Sequence, residues 1–314
     1  MNLLFLGGAK RVSIAEHFLS YGRKMDIEIN IFSYELDEKV PIAAIGKVIK
    51  GLKWNDVSIL DDIINVIKHY HIDIVLPFVD PAIVISAKLK QLCTNVFIPV
   101  SSEYICDVMF DKRRSAVWFE KNDITQPLYF SCTSDIQFPV IFKPRRGSAS
   151  KGIFIANSLS EIPEDIDSDQ YLIQEYISDR QEYSVDCYVS QKGHILSVVP
   201  RIRLETAGGE ATKSLVVRDP LIIEEAEKIL LTAEFYGPVT IQFIRDSHNG
   251  KIYVMEINPR LGGAVVASIG AGSEIISFIV NEAMGHNVSP VNTWKENTLM
   301  TRYFKEVIFY ADNN

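Results

Sequence analysis

Residues 254 to 263 read VMEINPRLGG, and Glu256, Asn258 and Arg260 stand there at alternate positions. Strand side chains two apart share a face, so a carboxylate, an amide and a guanidinium project together while Met255 and Ile257 face the other way. Pro259 ends such a strand, and Gly262 and Gly263 let its backbone approach a neighbour closely. An upstream strand, GPVTIQFIRD (237–246), reaches this one through SHNG. A five-residue turn pairs Arg245 with Lys251 and sets Gln242 opposite Val254, on the side of Glu256 and Asn258; a four-residue turn rotates Gln242 to the opposite face. With Gln242 included, one carboxylate and two amide oxygens form a hard donor set that suits Mg²⁺ together with water and phosphate oxygens. Arg260 could grip a phosphoryl or carboxylate oxygen bidentately. A solvated sheet face with an Arg–Glu surface pair is the plain alternative.

Three more stretches carry polar chemistry. FPVIFKPRRGSASKGIFIAN (138–157) sets Lys143 on a strand beside a hairpin loop containing Gly147, Ser148, Ser150 and Gly152, a grip for phosphate through a point charge and backbone N–H groups. The GxxxxGK[ST] phosphate loop is missing, and a hairpin tip with basic edge residues explains the stretch equally well. YLIQEYISDRQEYSVD (171–186) offers backbone groups at Glu175, Tyr176 and Ile177 that could read an adenine edge, and Glu182 for ribose hydroxyls; two strands with a polar turn is the simpler account. In PRIRLETAGGEATKSLVVRD, Arg201 and Arg203 share a face, Gly208 and Gly209 allow a mobile lid, and Glu210 could meet an amine. Either arginine is equally readable as a surface ion-pair partner.

These residues need a scaffold, and its rhythm is legible. Residues 3–7, 29–34, 72–79 and 96–100 read as strands alternating with helices over 10–22, 56–70 and 81–92, the βαβ pattern of a parallel sheet covered on both faces. Gly7 and Gly8 lie at the first strand-to-helix turn without the GxGxxG of a dinucleotide site, so a tight packing turn competes with nucleotide binding. From about residue 104 the pattern becomes a helix followed by hairpins, which predicts antiparallel sheet, with helices over 220–235 and 264–285 and a final aromatic strand over 301–310.

The 314 residues are 47% hydrophobic and carry a net charge of -8, and no basic block resembles a nucleic-acid footprint. The four cysteines show no close pairing, no apolar window is long enough to span a membrane, and the expected setting is the cytoplasm. The six histidines suggest neither a metal cluster nor a triad.

In order and spacing, Asp111-Lys112, Lys143 with its glycine loop, Gln174-Glu175-Tyr176-Ile177, Glu182, Gln242 and Glu256-x-Asn258-Pro259-Arg260 resemble the ATP-grasp superfamily, most closely its carbamoyl-phosphate synthase-like branch. The resemblance implies an α/β and α+β chain: a Rossmann-like pre-ATP-grasp domain over 1–103, a small lobe with the glycine-rich loop over 104–172, and a C-terminal lobe with the metal site over 173–314. It implies that Lys112 and Lys143 touch ATP phosphates under the loop 147–152, that Glu175 and Ile177 meet adenine through backbone groups, and that Glu182 holds the ribose. Gln242, Glu256 and Asn258 would hold two Mg²⁺ or Mn²⁺ ions, and Arg260 the transferred phosphoryl group. The implied activity is ligation: a carboxylate attacks the γ-phosphate of ATP, and an amine or ammonia then attacks the acyl phosphate. The alternatives are a carboxyl-phosphorylating subunit using bicarbonate and ammonia, and an ATP-binding module without turnover. Arg203 is expected to hold the carboxylate substrate. The expected partners are therefore small molecules, with neither nucleic acid nor membrane, and a homodimer stays open.

Overall fold

The computed structural model describes residues 1–130, 135–147 and 151–310. Its strands form three sheets. The first is parallel, in the order β3-β2-β1-β4: β1 (Asn2–Leu6), β2 (Asn30–Glu35), β3 (Lys47–Lys50) and β4 (Ile74–Pro77). Leu3 through Leu6 are wholly inaccessible, as expected of a central parallel strand covered on both faces. Around this sheet lie α1 (Val12–Met25), α2 (Ile59–His69) and α3 (Asp80–Leu92). Ile59, Ile63 and Ile67 recur every four residues along α2 and give it one buried stripe. Gly7 has a positive φ, and a Cβ on Gly8 would lie 2.6 Å from that of Phe5, so both glycines serve the turn.

Two helices follow, α4 (Glu103–Phe110) and α5 (Lys112–Lys121). The single helix expected here is broken at Asp111, whose side chain accepts from the N–H groups of Arg113 and Arg114 and caps α5. A small antiparallel sheet comes next, in the order β5-β8-β6-β7, from β5 (Tyr129–Phe130), β6 (Val140–Pro144), β7 (Phe154–Ala156) and β8 (Tyr171–Glu175). It has a core of its own, centred on Phe130, Val140, Phe142, Ala156 and Ile173.

The third sheet is antiparallel, in the order β13-β12-β9-β10-β11-β14. Its strands are β9 (Arg180–Val189), β10 (Ile195–Ala207), β11 (Glu210–Val216), β12 (Gly237–Asp246), β13 (Ile252–Asn258) and β14 (Leu299–Thr301). Alternation divides its faces. Tyr183, Val185, Cys187, Ile241, Phe243, Val254 and Ile257 pack beneath α4, α5 and α6 (Pro220–Leu231). Glu182, Ser184, Asp186, Arg201, Arg203, Thr240, Gln242, Glu256 and Asn258 lie on the other face. Beyond β13 the chain forms α7 (Val266–Gly270) and α8 (Ile275–Ala283) rather than one helix over 264–285. Ile275, Phe278 and Ile279 of α8 share a core with Leu3, Phe5, Ile14 and Phe18, which binds the parallel sheet to the large one.

Two expected strands are absent. Over 96–100 only Phe97 pairs, as an isolated bridge to Ile74, and the aromatic segment after β14 leaves Phe304 98% and Tyr310 88% exposed rather than packed. The β12–β13 turn also corrects the expected register. Asp246 donates its N–H to Lys251, leaving a four-residue loop, and Phe243, not Gln242, faces Val254. A bulge at Met255 then shifts the phase by one residue and sets Gln242 directly opposite Glu256.

Candidate active site

The polar face of the large sheet and the edge of the small one bring the predicted residues together. Gln242 donates from Nε2 to Glu256 Oε1 at 3.4 Å, and Asn258 Nδ2 donates to the same oxygen. Glu256 lies between cations: burial works to raise its carboxyl, but Lys112, the Asn258 hydrogen bond, Arg260 and Lys143 outweigh this and hold it below the usual range. It is an ionised oxygen donor beside two amides. Among the described residues no group of three His, Cys, Asp or Glu gathers at one point. One carboxylate with two amides fits Mg²⁺, which takes few protein ligands and completes its shell with water and phosphate oxygens.

Lys143 is buried on β6 and donates to Gln174 Oε1 at 2.8 Å. Burial pulls its ammonium down to about 8; Lys112 and Arg180 add to the fall, and Glu256 and Glu182 oppose it. A desolvated ammonium held near a carboxylate is an electrostatic partner for a polyanion. Lys112, the first residue of α5, donates from Nζ to Gly147 O at 3.0 Å, linking that helix to the start of the glycine loop. Gly147 has φ near +134° and Gly152 near +72°, conformations that favour glycine. Ser148 and Ser150 lie outside the described residues.

Beyond β8 the side chain of Ile177 clusters with Ile244, Tyr253 and Met255, an apolar patch beside the strand that carries Glu175. The Glu175 N–H donates to Leu128 O at 2.8 Å, and Tyr176 lies under the Arg180 guanidinium at 5.0 Å. Glu182 accepts from Arg180 at 2.9 and 3.1 Å and faces Arg203 Nε at 3.5 Å. Arg203 in turn donates to Gln242 Oε1 at 3.1 Å and to Gly209 O at 2.9 Å, so it ties β9 and β12 to the turn of the β10–β11 hairpin. Burial lowers the Arg203 pKa against the pull of Glu182.

Arg201, two residues away, has a different place. It is 2% exposed, donates to Asp186 through Nε at 2.8 Å, and is neither a surface pair nor open to a ligand. Asp186 also accepts from Thr240 and Ser268. A Cβ on Gly262 would come within 2.9 Å of Asp186 Oδ1 and 2.8 Å of Thr240 Oγ1, which explains the glycine after Asn258-Pro259-Arg260-Leu261. Arg260 donates to Asn258 Oδ1 and, through Nε and a terminal nitrogen, to Asp80 at the start of α3.

Sequence reasoning missed Asp80, Asp186 and Arg180. The available signal for Asp186 was its position four residues beyond Glu182 on an alternating strand; Asp80 and Arg260 are 180 positions apart.

Residues 167–306 match the family described as ATP-grasp in the biosynthetic pathway with Ter operon, and residues 111–179 match the tubulin-tyrosine ligase family. A carbamoyl-phosphate synthase from Methanobrevibacter smithii is 22% identical over 238 residues, 68% of this chain and 65% of that protein. The chain spans 26% of another curated relative, the α subunit of a rice methylcrotonoyl-CoA carboxylase, at 25% identity over 57% of its own length. Among solved structures, biotin carboxylase from Campylobacter jejuni superposes with a TM-score of 0.75 at 17% identity, over 95% of this chain and 74% of that one. The L-amino acid ligase of Bacillus licheniformis gives 0.68 at 16% identity, over 90% and 74%.

Proposed function

We propose that this chain, which carries the ATP-grasp fold, is an ATP-dependent ligase that activates a carboxylate as an acyl phosphate for attack by an amine or ammonia. The observation that carries the reading is the convergence of Lys112, Lys143, Gln242, Glu256, Asn258 and Arg260, from two sheets and a helix, around one ionised carboxylate. In this reading residues 1–103 form a Rossmann-like pre-ATP-grasp domain, 104–172 the small lobe and 173–314 the C-terminal lobe, with β8, which straddles the second boundary, pairing within the small sheet. Adenine lies against Ile177, Ile244 and Met255, with backbone contacts at Glu175 and Ile177, and Glu182 takes the ribose.

Gln242, Glu256 and Asn258 would hold Mg²⁺ or Mn²⁺, with two ions sharing Glu256, and the ions would neutralise phosphate charge. Lys143 and Lys112 steady the phosphates. Arg260, braced by Asp80, neutralises charge on the group in transfer, and Arg203 orients the acid. Little covalent work falls to the protein in phosphoryl transfer, so positioned cations and a dry site are the principal requirements. Both substrates are small molecules, and the setting is cytoplasmic.

The test is to incubate the protein with Mg·ATP and a matrix of carboxylates and amines and to follow ADP and phosphate. Release that needs both an acid and an amine supports ligation. Release with bicarbonate alone favours the carboxyl-phosphorylating alternative, and nucleotide binding without release under any pairing defeats the proposal. Arg203→Ala should raise the acid's KM tenfold or more; unchanged kinetics remove Arg203 from the site.

A further inference from the structure

The two-residue turn of the β10–β11 hairpin is made by Gly208 and Gly209, both at positive φ, and the next residue is Glu210. Its carboxylate is held by two arginines from distant parts of the chain. Arg11, in the turn between β1 and α1, grips both oxygens, at 2.6 and 3.2 Å. Arg302, just after β14, faces Oε2 at 3.4 Å and also donates to the backbone oxygens of Ala211 and Gly263. The backbone after Arg260 runs directly past: a Cβ on Gly263 would fall 2.8–3.0 Å from the Glu210 carboxyl atoms. Burial works to raise the Glu210 carboxyl, but Arg11, Arg302 and Arg260 together hold it low.

One carboxylate thus faces two guanidiniums, an excess of positive charge at the hairpin tip. The neighbouring Gly209 carbonyl is tied through Arg203 to Gln242, so the cluster lies beside the proposed metal face. A forked, bidentate guanidinium recognises a carboxylate by shape as well as charge. The occupant here is a residue 38% exposed in its side chain, next to a glycine turn.

We propose that Arg11 and Arg302 form the pocket for a non-reacting carboxylate group of the acid substrate, whose reacting carboxylate Arg203 orients, and that Glu210 occupies this pocket until the substrate displaces it. The exchange is carboxylate for carboxylate, so no charge is stranded: Glu210 moves to water as the substrate's anion pairs with the two arginines. Glu210 then sets specificity, because an acid must bind well enough to compete with a tethered one. This replaces the expectation that Glu210 meets an amine, and for turnover it rests on the ligase reading above.

The test uses sodium malonate as probe, at constant ionic strength, with melting temperature as readout and Mg·ADP as a control ligand. Glu210→Gln keeps the shape and removes the competing charge, so malonate should stabilise this variant at concentrations at least tenfold lower than the wild type needs. Adding Arg302→Ala should erase the gain, while the Mg·ADP response stays the same throughout. Should Glu210→Gln fold poorly, Glu210→Asp, one methylene short of Arg11, should show the same trend more weakly. Equal malonate response in wild type and both Glu210 variants overturns the proposal. A purely structural ion pair would lower the melting temperature without changing that response. Because binding is read without turnover, failure of the ligase reading and failure of this one are separable; with an active acid–amine pair, Glu210→Gln should lower the acid's KM and leave that of ATP unchanged.

Discussion

Lys143 combines burial with a proposed task that needs charge. An ammonium drawn down to about 8 is protonated below that pH and loses its charge as pH rises through it. The folded protein therefore binds this proton less tightly than the unfolded chain, and its stability rises with pH between about 8 and the ordinary lysine range. Nucleotide affinity should move the other way, falling on the alkaline side of pH 8 as the phosphate contact is lost. Calorimetric titration of Mg·ADP from pH 6.5 to 9.5 checks this, and Lys143→Arg, which stays charged, should flatten the alkaline limb. Glu256→Gln tests the opposite charge. Substrate-dependent ADP release should drop by roughly 10²–10³ or more, as when a preorganised electrostatic group is removed. Circular dichroism should show the fold retained; a variant with wild-type turnover would remove Glu256 from the metal role.

At the scale of elements, the polar face stands on a buried pair. Asp186 is 1% exposed and Arg201 2%, and removing one partner strands the other in a low-dielectric interior. Asp186→Ala should therefore cost about 3–5 kcal/mol in urea unfolding, against a fraction of that for the exposed Lys228–Glu224 pair. Gly262→Ala, which drives a methyl group toward that carboxylate, should cost about 1–3 kcal/mol and lower turnover by displacing Arg260. Much of this was legible in the chain. Alternating EYSVDCYV and the run LLFL announced a two-faced antiparallel strand and a doubly covered parallel one, and Glu256 and Asn258 do share a face, which Gln242 joins only through a bulge that no residue pattern announced. Asp186 stayed hidden because its partners Arg201, Thr240 and Ser268 lie 15 to 82 positions away. Strand β3 was too short to show a period, whereas the apolar residues 96–100 pair only at Phe97. Apolar composition announces burial or pairing, but the sheet's available edges decide which residues find a partner.

For the whole molecule, the decisive feature is the core that α1, α8, β1 and β4 hold in common with Tyr188, Leu196, Leu261 and Val265. The parallel sheet is no detachable appendage. A fragment of residues 104–314 should bind a hydrophobic dye and lose its sharp melting transition, since removing the N-terminal part uncovers that apolar face. The small sheet, with its separate core, is fastened differently: Arg145 and Arg146 of its glycine-loop side converge on Asp111, the cap of α5. The end of β6 and the start of α5 are therefore coupled through one carboxylate. The bulge at Met255 has a consequence of another kind. Without it, the four-residue loop 247–250 would leave Gln242 and Glu256 out of phase; with it, alignment at the site is set locally and no longer depends on how the hairpin closes. The molecule has in effect a vernier between a working face and an exposed tip, and the tip becomes a port where a reporter peptide could be grafted without retuning Gln242 and Glu256 farther along the two strands.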